Sequence, residues 1–282
     1  MTRAVKRIGF TLRQSNGVII LPEWCREDLV NLHVPSEAEL HTADAVQKYP
    51  LGAKVIKADS IWRYVRVGET IAVGSAGFLN CNRIRCPGLA GNSVHEGYEG
   101  SPNAAVVAGD STIYITDTAA LVHEYEGAHV SVYDYGSSPA YFDSYYVVDN
   151  DVSNGTRTTL YLAEGVKNAW AITGVTLDVY LSPYYSVGSL NLSGNQSWKS
   201  AIGKIGLAPC TSGYFYWMKT AGLCHGTLSS TECGKTAFYR DVYSNTDGSL
   251  IHYTAGYQRV GYLLWGTSAA YGDQTYMLQL EN

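Results

Sequence analysis

From Leu51 onward, short runs of β-branched and aromatic residues recur at intervals too brief to hold helices between them. Residues 54–68 show the pattern best. Trp62 and Tyr64 fall on one face of an extended chain, and Arg63, Val65 and Val67 on the other. Further strand-like runs occupy 112–116, 128–133, 158–162, 174–181, 213–220, 260–265 and 274–280. Glycine follows or splits most of them (Gly68, Gly74, Gly127, Gly174, Gly213, Gly222), and Asp247-Gly248 is a hairpin-type pair. The rhythm predicts an all-β chain of antiparallel β-sandwich or β-barrel modules, not a βαβ fold. The 29 glycines and 23 tyrosines fit that class, since tyrosine suits half-buried strand faces.

The first 48 residues read differently. The apolar run Val18-Ile19-Ile20-Leu21 stops at Pro22, and Ser36 and Glu39 have capping-box spacing before a short helical segment through Lys48. Pro50 disfavours helix at the residue before it. An extended N-terminal arm (1–48) carrying one or two short helices is expected. A Ser/Gly/Asn-rich stretch near 185–196 then divides a β-rich main domain (49–190) from a C-terminal β-rich module (191–282).

Hydrophobic residues make up 46% of the chain and charged ones 16%, below the usual quarter, which fits a surface buried in an assembly or a Ser/Thr/Asn-covered monomer. The net charge of −5 argues against nucleic acid as partner. The distribution is uneven: residues 95–164 hold eleven acids and one base, Arg157, whereas residues 1–66 hold ten bases and seven acids. The acidic stretch reads as a solvated face or as a surface for a basic partner or divalent cations. The charged n-region Arg3, Lys6, Arg7 is followed by an apolar stretch that Arg13 and Gln14 interrupt, so no export signal is expected. No run reaches the ~20 apolar residues of a membrane span.

Catalytic signatures are not found: there is no G-x-S-x-G, P-loop, H-E-x-x-H or dinucleotide fingerprint. The most enzyme-like spot is Glu124/Glu126, flanked by His123 and His129. On a strand the two carboxylates would share a face, but glycosidase chemistry needs them across a cleft. Six cysteines lack C-x-x-C spacing; Cys81/Cys86 and Cys224-His225/Cys233 are the only near groupings, and reduced thiols are expected. Asp149-Asn150-Asp151 reads as an oxygen-rich turn. No cofactor and no metal is expected. Six tyrosines between Tyr125 and Tyr146, Tyr133, Tyr135, Tyr141 and Tyr145 among them, read either as a recognition surface or as a two-faced sheet.

Several phrases resemble virion proteins of tailed bacteriophages encoded beside the major capsid protein: Tyr49-Pro50-Leu51-Gly52 with residues 61–68, then residues 178–184, 212–222 and 260–264, and a closing strand at 277–280. The resemblance spans the chain from about residue 45. It implies a non-enzymatic decoration or cement protein on the capsid exterior, assembled in the host cytoplasm. Its partners would be the major capsid protein and copies of itself, as a homotrimer, with neither nucleic acid nor membrane. In that setting Val18, Ile19, Ile20, Leu21 and Trp24 of the arm, with Tyr133, Tyr135, Tyr141 and Tyr145, are the expected interface residues. Rival readings are a receptor- or glycan-binding head or tail fibre protein and a β-sheet polysaccharide hydrolase.

Overall fold

Alternating burial builds the sheets. The computed structural model describes residues 5–7, 11–29, 33–68, 70, 96–188, 201–204, 210–228, 233, 240–245, 249–264 and 273–281. In chain order the first elements are β1 (Val5–Arg7), β2 (Thr11–Gln14), β3 (Gly17–Ile20), β4 (Trp24–Arg26), a 3-10 turn (Glu27–Leu29) and the one-turn helix α1 (Glu37–Leu40). Next come β5 (Lys54–Lys57), β6 (Ser60–Arg66), β7 (Glu96–Gly100), β8 (Thr112–Ile115), β9 (His129–Asp134), β10 (Tyr141–Asn150), β11 (Thr158–Leu162) and β12 (Val175–Tyr180). The last are β13 (Phe215–Thr227), β14 (Asp241–Ser244), β15 (Leu250–Ile251), β16 (Arg259–Leu263) and β17 (Asp273–Gln279). The protein is all-β, and its named strands pair antiparallel.

A nine-stranded sheet runs β15-β14-β16-β17-β13-β6-β5-β3-β2. Its centre is the ladder between β6 and β13, in which Trp217 faces Tyr64 and Phe215 faces Arg66. Trp62 and Tyr64 enter one core with Ile19, Val55 and Trp217, while Val65 and Val67 enter another with Tyr216 and Met218. The two-faced reading of residues 54–68 therefore holds. Tyr49, Tyr64 and Trp217 form an aromatic triad with ring centroids 5.0–5.3 Å apart. β13 slips register between Lys219 and Ala221. Gly222 follows at φ +108, where an added Cβ would lie 2.6 Å from the Asp59 carbonyl.

The six-stranded sheet, β7-β12-β9-β10-β11-β8, lies entirely between β6 and β13 in sequence. β10 changes partner along its length: residues 141–146 pair with β9, and Val147, Asp149 and Asn150 pair with β11 across a register shift between Val147 and Asp149. The inward faces (Val130, Val132, Tyr145, Val147, Leu160, Leu177, Val179) form one core, completed by loop residues such as Trp170, Val166 and Tyr125.

The N-terminal expectation needs correction. Residues 11–20 form the β2–β3 hairpin at one edge of the nine-stranded sheet, with β3 paired to β5. Leu21, Cys25, Val34, Leu40 and Tyr49 fold over that sheet as its own core. A chain carrying this many apolar side chains gains more by covering its own sheet than by lying free as an arm. The Ser36–Glu39 capping box forms, but the helix ends at Leu40 and does not continue to Lys48: Asp44 is drawn into a backbone bridge with Phe215. The expected division near residue 190 does not separate the sheets either, since β13 pairs with β6 across it. Gly74, Cys81, Cys86, Asp247-Gly248 and Trp265 lie outside the described residues.

Leu160 is fully buried beneath the six-stranded sheet. Leu160→Ala is expected to cost about 2–5 kcal/mol, and Tyr135→Ala, on the surface, no more than ~0.5 kcal/mol. Chemical denaturation of the two variants checks the assignment of core and surface.

Candidate functional site

Two places on the fold carry functional potential: a polar seam where the sheets meet, and an aromatic surface on the hairpin of β9 and β10.

The seam is built from β4, the 44–51 segment, the turns at 121–127 and the end of β10. Glu126 is buried there. Gln47 Nε2 donates to both its oxygens at 3.0 and 3.1 Å, and the Leu51 amide donates to Oε1 at 3.3 Å. Arg26 Nε lies 3.4 Å from Oε2, without hydrogen-bond geometry. Arg26 also donates to Gln47 Oε1 (3.0 Å) and to His123 Nε2 (2.6 Å). His123 Nδ1 is 2.6 Å from Asp149 Oδ1, which places the ring hydrogen on Nδ1 and leaves Nε2 to accept from Arg26. His123 adopts φ +63, a left-handed backbone that a side chain seldom takes, and Asp149 is buried. The local geometry follows from Asn150, whose side chain accepts from the Tyr125 amide and donates to the Leu121 carbonyl, shaping the turn that aims His123.

Burial pushes the Glu126 carboxyl up to about 7, against the opposing pull of Arg26 and the hydrogen bonds from Leu51 and Gln47. Burial also pushes the neighbouring Cys25 thiol up to about 12, with the Glu126 charge adding to it, so this thiol stays protonated. Burial raises Glu124 as well, partly offset by the Leu121 amide that donates to its Oε2 at 2.7 Å.

The carboxylate pair does not form as a shared strand face. Residues 121–127 are turns; Glu126 points into the seam and Glu124 back to Leu121. His129 is on β9, ring to ring with Tyr146 at 5.4 Å, away from His123. Asp149 and Asn150 belong to β10 and are not a loop. No group of three His, Cys, Asp or Glu among the described residues is placed to hold a metal ion. No helix among them is long and apolar enough to cross a membrane.

Family models, curated proteins and solved structures yield no match to this chain.

The second place is the outer face of the six-stranded sheet. Phe142, Tyr135 and Tyr133 are 69%, 58% and 49% exposed. Phe142 and Tyr133 are cross-strand partners, and the Tyr133 and Tyr135 rings lie 5.9 Å apart. Below them Ser144, Ser131, Asp178 and Glu99 form a polar row across four strands. The other expected interface residues distribute unevenly. Ile19 and Leu21 are in the chain's own core, and Tyr145 is buried with its hydroxyl donating to Asp143 at 2.5 Å. Val18, Ile20, Trp24 and Tyr141 are half-buried. Phe142, absent from the expected set, is the most exposed of the three aromatic rings. Its alternation with buried Asp143 and Tyr145 is the signal that points it outward.

A carboxyl with a raised native pKa holds a proton that the unfolded chain has released, so its stabilising share is complete below about 4.5 and is lost as pH rises through about 7. Glu126→Gln is expected to flatten the fall in stability over that window. Urea unfolding at the two ends of it checks this, and an unchanged slope would place the titration elsewhere.

Proposed function

We propose that this is a structural, non-catalytic virion protein of the decoration or cement type, acting on the outside of a tailed-phage capsid. Its partners are the major capsid protein and further copies of itself as a homotrimer, with no cofactor, nucleic acid or membrane. The observation that carries this reading is the exposed ring cluster Phe142, Tyr135 and Tyr133 on a sheet whose other face is already filled. An apolar patch held on a rigid hairpin is a contact surface for a protein partner. The low charge of the chain, 16%, fits a body that buries much of its exterior. The oligomer number and the lattice partner rest on the sequence resemblance.

A receptor- or glycan-binding fibre protein is the second reading, favoured by the Ser131–Ser144 row beside the same rings. With Tyr145 buried, glycan contact would fall to Tyr133, Tyr135 and Phe142.

Light scattering of the chain alone and with empty phage heads tests the proposal. A stable oligomer that joins the heads is expected. The double variant Tyr135→Ala/Phe142→Ala should fold normally and bind heads at least roughly tenfold more weakly. A monomer that ignores heads would overturn the reading.

A further inference from the structure

The polar seam opens into a cleft of about 420 Å³, within the range of small-ligand sites. Arg26, Arg66 and His123 line it, with Asp28 at its edge and Phe215 and Tyr185 among its apolar walls. Arg66 stands out: its guanidinium lies over the Tyr185 ring at 4.7 Å and makes no hydrogen bond or ion pair with a described residue. Glu124 feels the charge of Arg66 but commits an oxygen to the Leu121 amide. A guanidinium fixed by stacking, with its donors facing a cleft, is suited to bind a planar carboxylate through two hydrogen bonds.

The rest of the lining narrows the ligand. Asp28 is 3.5 Å from Arg26 through a side chain that is 68% exposed, so its carboxylate keeps acceptor capacity at the cleft. A second negative charge placed beside Asp28 would be repelled by it, whereas hydroxyl groups would donate to it. Phe215 and Val122 offer apolar surface of the kind that covers the C–H face of a sugar ring.

We propose that this cleft binds a carboxylated sugar, a uronic-acid-type unit, with Arg66 holding its carboxylate and Asp28 accepting from its hydroxyls. The site is separate from the hairpin surface and does not depend on capsid attachment, so head binding and sugar binding fail or succeed independently.

Calorimetric titration of the full chain with glucuronate, glucose and inorganic phosphate tests it. Saturable glucuronate binding is expected, with glucose and phosphate at least roughly tenfold weaker. Arg66→Gln should weaken glucuronate by roughly tenfold or more. Should that variant fail to fold, Asp28→Asn, at an exposed side chain, is expected to raise phosphate affinity and narrow its gap to glucuronate. No saturable glucuronate binding, equal binding of phosphate and glucuronate, glucuronate affinity unchanged in a folded Arg66→Gln, or an Asp28→Asn variant that keeps the original preference would each overturn the assignment.

Discussion

Strands β6 and β13 are far apart in sequence, yet they are neighbours at the middle of the nine-stranded sheet, and everything else is placed by their ladder. The closure costs loop entropy, though that cost grows slowly with loop length. It is offset where the two strands meet. Tyr64 and Trp217 pack ring against ring with Tyr49 on one face, and Val65, Tyr216 and Met218 fill the other. The C-terminus is tied to the same place. Glu281 pairs with Arg63 and accepts from Thr220 at 2.9 Å; burial opposes its charge, but these partners hold its carboxyl below the usual range.

Closing that ladder makes the six-stranded sheet an insertion held at both ends. Its loop residue Glu126 meets Gln47 and Arg26 from the N-terminal segment, and its exit residue Val187 bridges to Val67 beside β6. A buried charged network of this kind adds little net stability compared with apolar packing, but losing one partner leaves an uncompensated charge. Its effect here is positional: it fixes the orientation of the inserted sheet. The exposed Phe142–Tyr133–Tyr135 cluster lies on that inserted sheet, and Arg66 lies on β6 where the two sheets meet.

Much of the strand pattern was legible because it depends on local alternation. Residues 112–115, 158–162, 175–180 and 259–263 are strands where the periodicity predicts them, and the 54–68 segment is two strands, 54–57 and 60–66, folded back on each other by a turn at 58–59. Residues 61–66 and 215–221, both rich in aromatic and β-branched side chains, are the two adjacent strands at the sheet centre, under the same two-sided burial. The N-terminal segment departs from its local pattern, which is proline-broken and helix-capped like a short arm, because its apolar residues are covered by distant strands. The partners that Ile19 and Leu21 cover, Val55, Trp62 and Tyr64 of the β5–β6 hairpin and Trp217 of β13, are distant in sequence. β10 was hidden for a related reason. Its ten residues serve two partners, and the buried Asp143, Asp149 and Asn150 break the apolar alternation that marks a strand. The seam was legible only as the names His123, Glu124 and Glu126. Arg26, Gln47 and Asp149 reach it through tertiary folding alone.

The most direct measurement is hydrogen exchange along the intact chain, read by mass spectrometry. If the β6–β13 ladder organises the molecule, peptides covering β3, β5, β6 and β13 exchange together, at the slowest rate and only through global unfolding. Fast exchange over residues 11–57 while β13 and β17 stay protected would contradict the account, because the N-terminal segment would then be a detachable arm and not part of the sheet.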